Sequence, residues 1–215
     1  MAIADATHER LTRIGLAALA DRGFALAGGY ALAAHDIGSR TSEDVDLFTD
    51  QPGCDFDQAT QELESAYLDA GYQVKVVRRA PEFTRLVATR PDGGATAVDL
   101  ARDTRTRPAV QLEVGPVLHL DDAIGAKVGA VYGRAAAKDF LDVREALRSG
   151  RFSRGRLLEL GDAREVVPMD REIFAAQLDS VQRIDDREFA RYGADPEQIA
   201  ELRSEMAAWS AEIRA

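Results

Sequence analysis

The chain has 215 residues, 46% hydrophobic and 30% charged, with a formal net charge of −10 at pH 7. That is enough apolar material for one good core with an appendage, and it excludes a disordered chain. No apolar run approaches the roughly 18 residues of a membrane span, Met1 to Ala6 lacks a basic-then-apolar export signal, and the lone Cys54 excludes an internal disulfide, so a cytoplasmic protein is expected.

In chain order, Leu11, Ile14 and Ala18 mark an N-terminal helix ending near Gly23. Phe24 to Ala27 reads as a short buried strand, Gly28-Gly29 as a tight turn, and Tyr30 to about Asp36 as a helix. Val45, Leu47 and Phe48 form the next strand. Ala59, Leu63, Ala66, Tyr67 and Ala70 predict a helix stopped by Gly71, followed by a strand over Tyr72 to Arg78. Phe83 to Arg90 and Ala95 to Ala101 are strand-rich runs around Pro91-Asp92-Gly93-Gly94, a hairpin signal. A helix starts near Ala123, with Asp121 or Asp122 as its cap, and breaks at Gly133; a second runs from Ala136 to Leu147, with Phe140, Val143 and Leu147 inward. After Gly150 the strand signal disappears, and Asp170 to Arg183 and Asp195-Pro196 to Ile213 read as helices. The expected fold is α/β (α+β): a mixed sheet covered by helices over residues 1–150, with a helical C-terminal subdomain over 151–215.

The chemistry concentrates between Gly28 and Phe48. Side chains two apart on a strand leave the same face about 6 to 7 Å from each other, so Asp44 and Asp46 point the same way. Two such carboxylates repel unless a cation neutralises them. A carboxylate pair without histidine or cysteine suits Mg²⁺ (or Mn²⁺), which is commonly completed by substrate phosphates. The three histidines and one cysteine cannot supply an ordinary zinc site, and Gly125-Ala126-Lys127 lacks the frame of a Walker A loop. Gly28 and Gly29 at a helix start let backbone N–H groups approach an anion, which is where the β- and γ-phosphates of a nucleoside triphosphate are expected.

Asp99 lies between Val98 and Leu100. It either faces solvent or, if its strand neighbours that of Asp44 and Asp46 at about 4.8 Å, completes a three-carboxylate cluster that holds metal and helps activate a hydroxyl. Arg40 either sets its fork on a phosphate or is solvated. Ser42 shares the Asp44 face, and its phosphorylation would place about two negative charges beside the phosphates, a possible regulatory device. On one unbroken helix Lys127 and Asp142 would stand more than about 20 Å apart, so they meet only if the chain turns near Gly133. Lys127 then either neutralises a triphosphate or is an exposed lysine, and Asp139 shares a helix face with Asp142.

Gly-Gly, a spacer, Arg-x-Ser-x-Asp-x-Asp-Leu-Phe, and then Lys127 with Lys138-Asp139-Phe140-Leu141-Asp142-Val143 resemble the AbiEii/AbiGii toxin family of nucleotidyltransferases, within the DNA polymerase β-like superfamily. The resemblance covers about residues 20 to 150. It implies a bacterial toxin paired with a separately encoded antitoxin, transferring nucleotides from an NTP to RNA, in characterised relatives to the tRNA 3′ end, which blocks translation. It also implies that Gly28 and Gly29 are the phosphate-turn glycines, Asp44 and Asp46 the metal pair, and Lys127 and Asp142 a second functional cluster, with Asp99 as the third carboxylate. The superfamily also contains enzymes that adenylylate antibiotics or protein side chains, so a small-molecule or protein acceptor stays open, as does a non-catalytic binding module.

Charge distribution bears on the acceptor. Residues 75–107 hold eight basic against four acidic side chains, and residues 127–156 eight against three, whereas the first 74 residues and residues 157–215 are acidic. The two basic segments either contact a phosphate backbone or form solvated edges that resist aggregation. The stripe Ile199, Leu202, Met206, Trp209 and Ile213 either docks on the protein's own core or takes up an antitoxin or second subunit. Nothing in the chain sets its oligomeric state.

Overall fold

The structure, a computed structural model, describes residues 5–38 and 40–215. Most of the Met1 to Ala6 stretch read for an export signal therefore lies outside the described residues. Two compact units emerge: residues 1–36 with 41–119, and residues 37–40 with 120–215. The expected division at residue 150 falls inside the second unit.

In the first unit α1 (Ala6–Ala18) is capped by the Asp5 carboxylate, which accepts from the Thr7 and His8 N–H groups. It is followed by β1 (Ala25–Leu26), α2 (Gly28–Ala34), β2 (Asp44–Thr49) and α3 (Phe56–Asp69). Then come β3 (Gln73–Ala80), β4 (Phe83–Thr89), β5 (Ala95–Arg102), β6 (Val110–Leu112) and β7 (Gly115–Val117). The seven strands form one mixed sheet in the order β3-β4-β5-β2-β1-β7-β6. Strands β2 and β5 run parallel, whereas β3, β4 and β5 form an antiparallel meander.

The alternation along β2 decides its two faces. Val45, Leu47 and Thr49 are buried, while Asp44, Asp46 and Phe48 on the opposite face are partly open. Helices α1 and α3 cover the apolar face so closely that a Cβ on Gly15 would stand 2.5 Å from Leu47 Cδ1 and 3.0 Å from Tyr67 Oη. The Tyr67 hydroxyl donates to the Leu11 carbonyl and locks the two helices together. The opposite face of β2 carries Asp44 and Asp46. The Pro91–Gly94 turn closes the β4–β5 hairpin as expected, with Asp92 accepting from the Gly94 N–H and Gly93 at φ +93°.

The second unit has no strand among its described residues. It consists of α4 (Leu120–Gly133), α5 (Ala137–Arg148), α6 (Arg154–Asp162), α7 (Arg171–Ser180), α8 (Asp186–Ala190) and α9 (Pro196–Ile213). Asp195 caps α9 with Pro196 at the first helical position, as the sequence predicts. The α9 stripe resolves in favour of the protein's own core: Ile199, Leu202, Met206 and Trp209 are buried, and the Trp209 ring meets Phe174 edge-on at 5.3 Å. Arg144, almost wholly buried, ties α5 to α9 through Glu201 and Glu205. Helix α4 starts three residues earlier than expected, so Asp121 and Asp122 lie in its first turn instead of capping it. There they still favour the positive end of the helix dipole.

Candidate active site

Parallel pairing of β2 with β5 places Asp46 directly opposite Asp99, and Asp44 opposite Ala97. The side chains of Asp44, Asp46 and Asp99 consequently share one face, and one oxygen from each lies within 4.8 Å of the others. Asp99 is buried, so the solvent-facing alternative for it falls away. The donor set is all hard oxygen, three carboxylates with no nitrogen or sulfur, which fits a Mg²⁺ or Mn²⁺ ion.

Gly28 belongs to this site through close approach. Its φ is +61°, and a Cβ there would fall 1.8 Å from an Asp46 carboxylate oxygen. Only glycine fits. The Ala27 N–H donates to the Asp46 carbonyl at 2.8 Å, fixing β1 and the start of α2 against the acidic strand. Gly28 and Gly29 are the first residues of α2, whereas the sequence put them in a turn ahead of a helix starting at Tyr30.

The approach to β2 is held from beneath. The Ser42 hydroxyl is buried and donates to Asp44 at 3.4 Å. The Tyr30 hydroxyl donates to the Ser42 carbonyl at 3.2 Å and meets His8 Nδ1 on its other side. Burial pushes the His8 pKa down, against the pull of Asp5 and Asp44, so the imidazole favours its neutral form. Sequence reasoning missed His8 and Tyr30, whose roles depend on a contact across 22 positions.

It also missed Arg85. Antiparallel register sets Arg85 opposite Asp99, so Arg85, Asp99 and Asp46 form one row across β4, β5 and β2. The guanidinium makes a two-pronged bond to both Asp99 oxygens at 2.6 Å each and reaches Asp44 at 3.2 Å. The hydrogen bond to Asp99 raises the Arg85 pKa above its already high value, keeping it charged throughout. The hairpin signal alone does not give this pair: a turn over residues 91–94 would set position 85 opposite 100, whereas the observed register pairs Thr89 with Ala95 and therefore Arg85 with Asp99.

In the second unit α4 and α5 turn back on each other, with Ala135 in the left-handed region at φ +49°. Lys127 Nζ comes within 2.9 Å of Asp142. Both are buried, so the exposed-lysine alternative falls away. Arg40 lies in the same unit and forks onto both Asp142 oxygens at 2.5 and 2.6 Å, with its guanidinium over the Tyr192 ring. The solvated alternative for Arg40 falls away, because the buried Asp142 carboxylate holds its fork. Burial alone would raise the Asp142 pKa; Lys127 and Arg40 outweigh it and hold the carboxyl below its ordinary value. Asp139 is separate, fully buried and paired with Arg134, so Asp142 alone of the two carboxylates joins Lys127.

Solved structures with the same fold include a protein from H. pylori assigned to the nucleotidyltransferases, with TM-score 0.61 and 18% identity, covering 96% of this chain and 93% of that one. They also include JHP933 from Helicobacter pylori, with TM-score 0.57 and 16% identity, covering 96% of this chain and 90% of that one. MenT4, the nucleotidyltransferase toxin Rv2826c from Mycobacterium tuberculosis H37Rv, aligns with TM-score 0.60 and 17% identity over 96% of this chain and 83% of its own. Among curated proteins no sequence matches. A family model described as the nucleotidyl transferase AbiEii toxin of type IV toxin–antitoxin systems matches residues 11–213, and the chain belongs to that family.

Proposed function

We propose that this AbiEii nucleotidyltransferase transfers a nucleotide from an NTP to an RNA 3′ end, the tRNA end being the leading candidate, so that translation stops until a cognate antitoxin intervenes. The observation that carries the reading is the Asp44, Asp46 and Asp99 cluster, set against a glycine at position 28 that admits no side chain. A divalent ion held by these carboxylates supplies Lewis-acid polarisation of a phosphoryl oxygen. Asp99 is assigned the orientation of the acceptor hydroxyl, and Gly28 and Gly29 the approach to phosphate. Lys127 and Arg40 outnumber Asp142 two to one, a surplus of positive charge that suits a phosphate group. Ser42 is assigned to orienting Asp44; its burial weighs against the regulatory phosphorylation raised from the sequence. The protein is expected to act in the cytoplasm, and no helix among the described residues is long and apolar enough to cross a membrane.

One observation favours a second acceptor class. Much of the local basic excess is matched by acids from elsewhere in the chain. Arg79 pairs with Asp57 and Arg105 with Asp50 in the first unit; Arg144, Arg154 and Arg156 pair with Glu201, Glu212 and Asp121 in the second. A less basic surface suits a small-molecule or protein acceptor. Exposed pairs are weak, however, and a polyanion displaces them at little cost.

The test incubates the protein, and its Asp44→Ala variant, with total bacterial RNA, Mg²⁺ and each α-labelled NTP in turn. A tRNA-sized labelled band lost in the variant supports the RNA reading and names the preferred NTP. Absence of labelled RNA with every NTP moves the acceptor to a small molecule or protein.

A further inference from the structure

Arg85 occupies a position that neither family membership nor the acidic motif assigns. The β4–β5 register sets it opposite Asp99, and its two-pronged bond takes both oxygens of that carboxylate. Its Nη2 also reaches Asp44. The guanidinium thus engages two of the three carboxylates that would hold a metal, at distances where opposite charges attract strongly. Exposure shows which partner can move: the Arg85 side chain is 40% exposed and Asp99 only 8%. The arginine has a route to solvent, while the carboxylate stays fixed.

We propose that Arg85 is a built-in counter-ion of the carboxylate cluster, holding Asp99 and Asp44 together without metal and lowering the site's affinity for a divalent cation by competing for the same oxygens. The proposal rests on the metal-site reading above. It makes Arg85 a positioning residue whose charge sets how readily the site fills. Three carboxylates against one guanidinium leave an excess of negative charge, so a divalent ion still binds, but less tightly than to the acids alone.

Titrating Mn²⁺ into wild type, Arg85→Gln and Arg85→Met by calorimetry, with Asp46→Asn as control, tests this without reference to activity. The Met variant keeps the apolar stem and guards against loss of fold in the Gln variant. Expected is Mn²⁺ binding in wild type, lost in Asp46→Asn, and tightened by about tenfold or more when the Arg85 charge is removed. In EDTA the Arg85 variants should melt below wild type and regain more than wild type does on adding Mn²⁺. Equal or weaker Mn²⁺ binding in a folded Arg85 variant overturns the counter-ion role while leaving the metal site standing. No Mn²⁺ binding in wild type or either Arg85 variant overturns the metal-site reading and this proposal with it.

Discussion

Two ionic clusters, one in each unit, are built with opposite balances. In the first unit three carboxylates face one guanidinium, and that guanidinium is substantially exposed. In the second, one carboxylate faces two cations, all three groups largely buried. The first carries more negative than positive charge, with its cation the more exposed partner. In the second the balance is positive: Asp142 accepts from the Arg40 fork and from Lys127, and Tyr192 covers the guanidinium. Desolvated pairs of this kind hold their geometry rigidly, since removing one partner strands the others. The difference is one of sign and burial: a negative, partly open cluster in one unit and a positive, buried one in the other.

The comparison is broken most sharply by mutation on the acidic side. On the proposed metal role of the cluster, Asp44→Ala should reduce nucleotide transfer by roughly a thousandfold or more, since one ligand for the ion would be gone. Its urea midpoint should change little, because a repelling charge has been removed. A variant with a collapsed midpoint would show that Asp44 serves structure instead.

On the other side the ranking inverts. Asp142→Ala leaves Arg40 and Lys127 without their buried counter-charge and should cost about 3 to 5 kcal/mol in urea unfolding. A cost below about 1 kcal/mol would mean that the cluster is looser than its distances suggest.

Acid separates the units further. The folded His8 pKa is depressed, so the unfolded chain takes up that proton first. Stability from His8 is full above its unfolded value of 6.5 and is lost as pH falls through the lower folded value. Asp142 is also depressed, so its contribution is full above the unfolded value of 3.8 and is lost only in stronger acid. Urea midpoints measured across pH should fall in two stages, the upper stage flattened by His8→Gln and the lower by Asp142→Asn. A single stage insensitive to both would sink the assignment.

The smallest effect belongs to Tyr192. Tyr192→Leu removes the ring beneath Arg40 and should cost about 1 kcal/mol, with transfer activity preserved in proportion to folded protein. A larger loss of activity than of stability would give Tyr192 a part in binding substrate.

By itself the sequence determined most of the longer elements and the acidic pair. Period-two alternation put Asp44 and Asp46 on one face, Pro91 to Gly94 closed the hairpin, and Asp195-Pro196 started α9, because these depend on residues only a few positions apart. It also required the turn near Gly133 if Lys127 and Asp142 were to meet, and they do. Three-residue strands β6 and β7, and helices α6 and α8, carried too little periodicity to be read. Tertiary structure decided the partners. Whether Asp99 faced water or Asp46 depended on β5 pairing parallel with β2, which no local pattern specifies. Whether Arg40 was solvated or paired, and whether the basic segments were open or matched, depended on acids up to 102 positions away. Charge counted in a window cannot see such partners, because Coulomb interaction follows distance in space and the fold alone sets that distance.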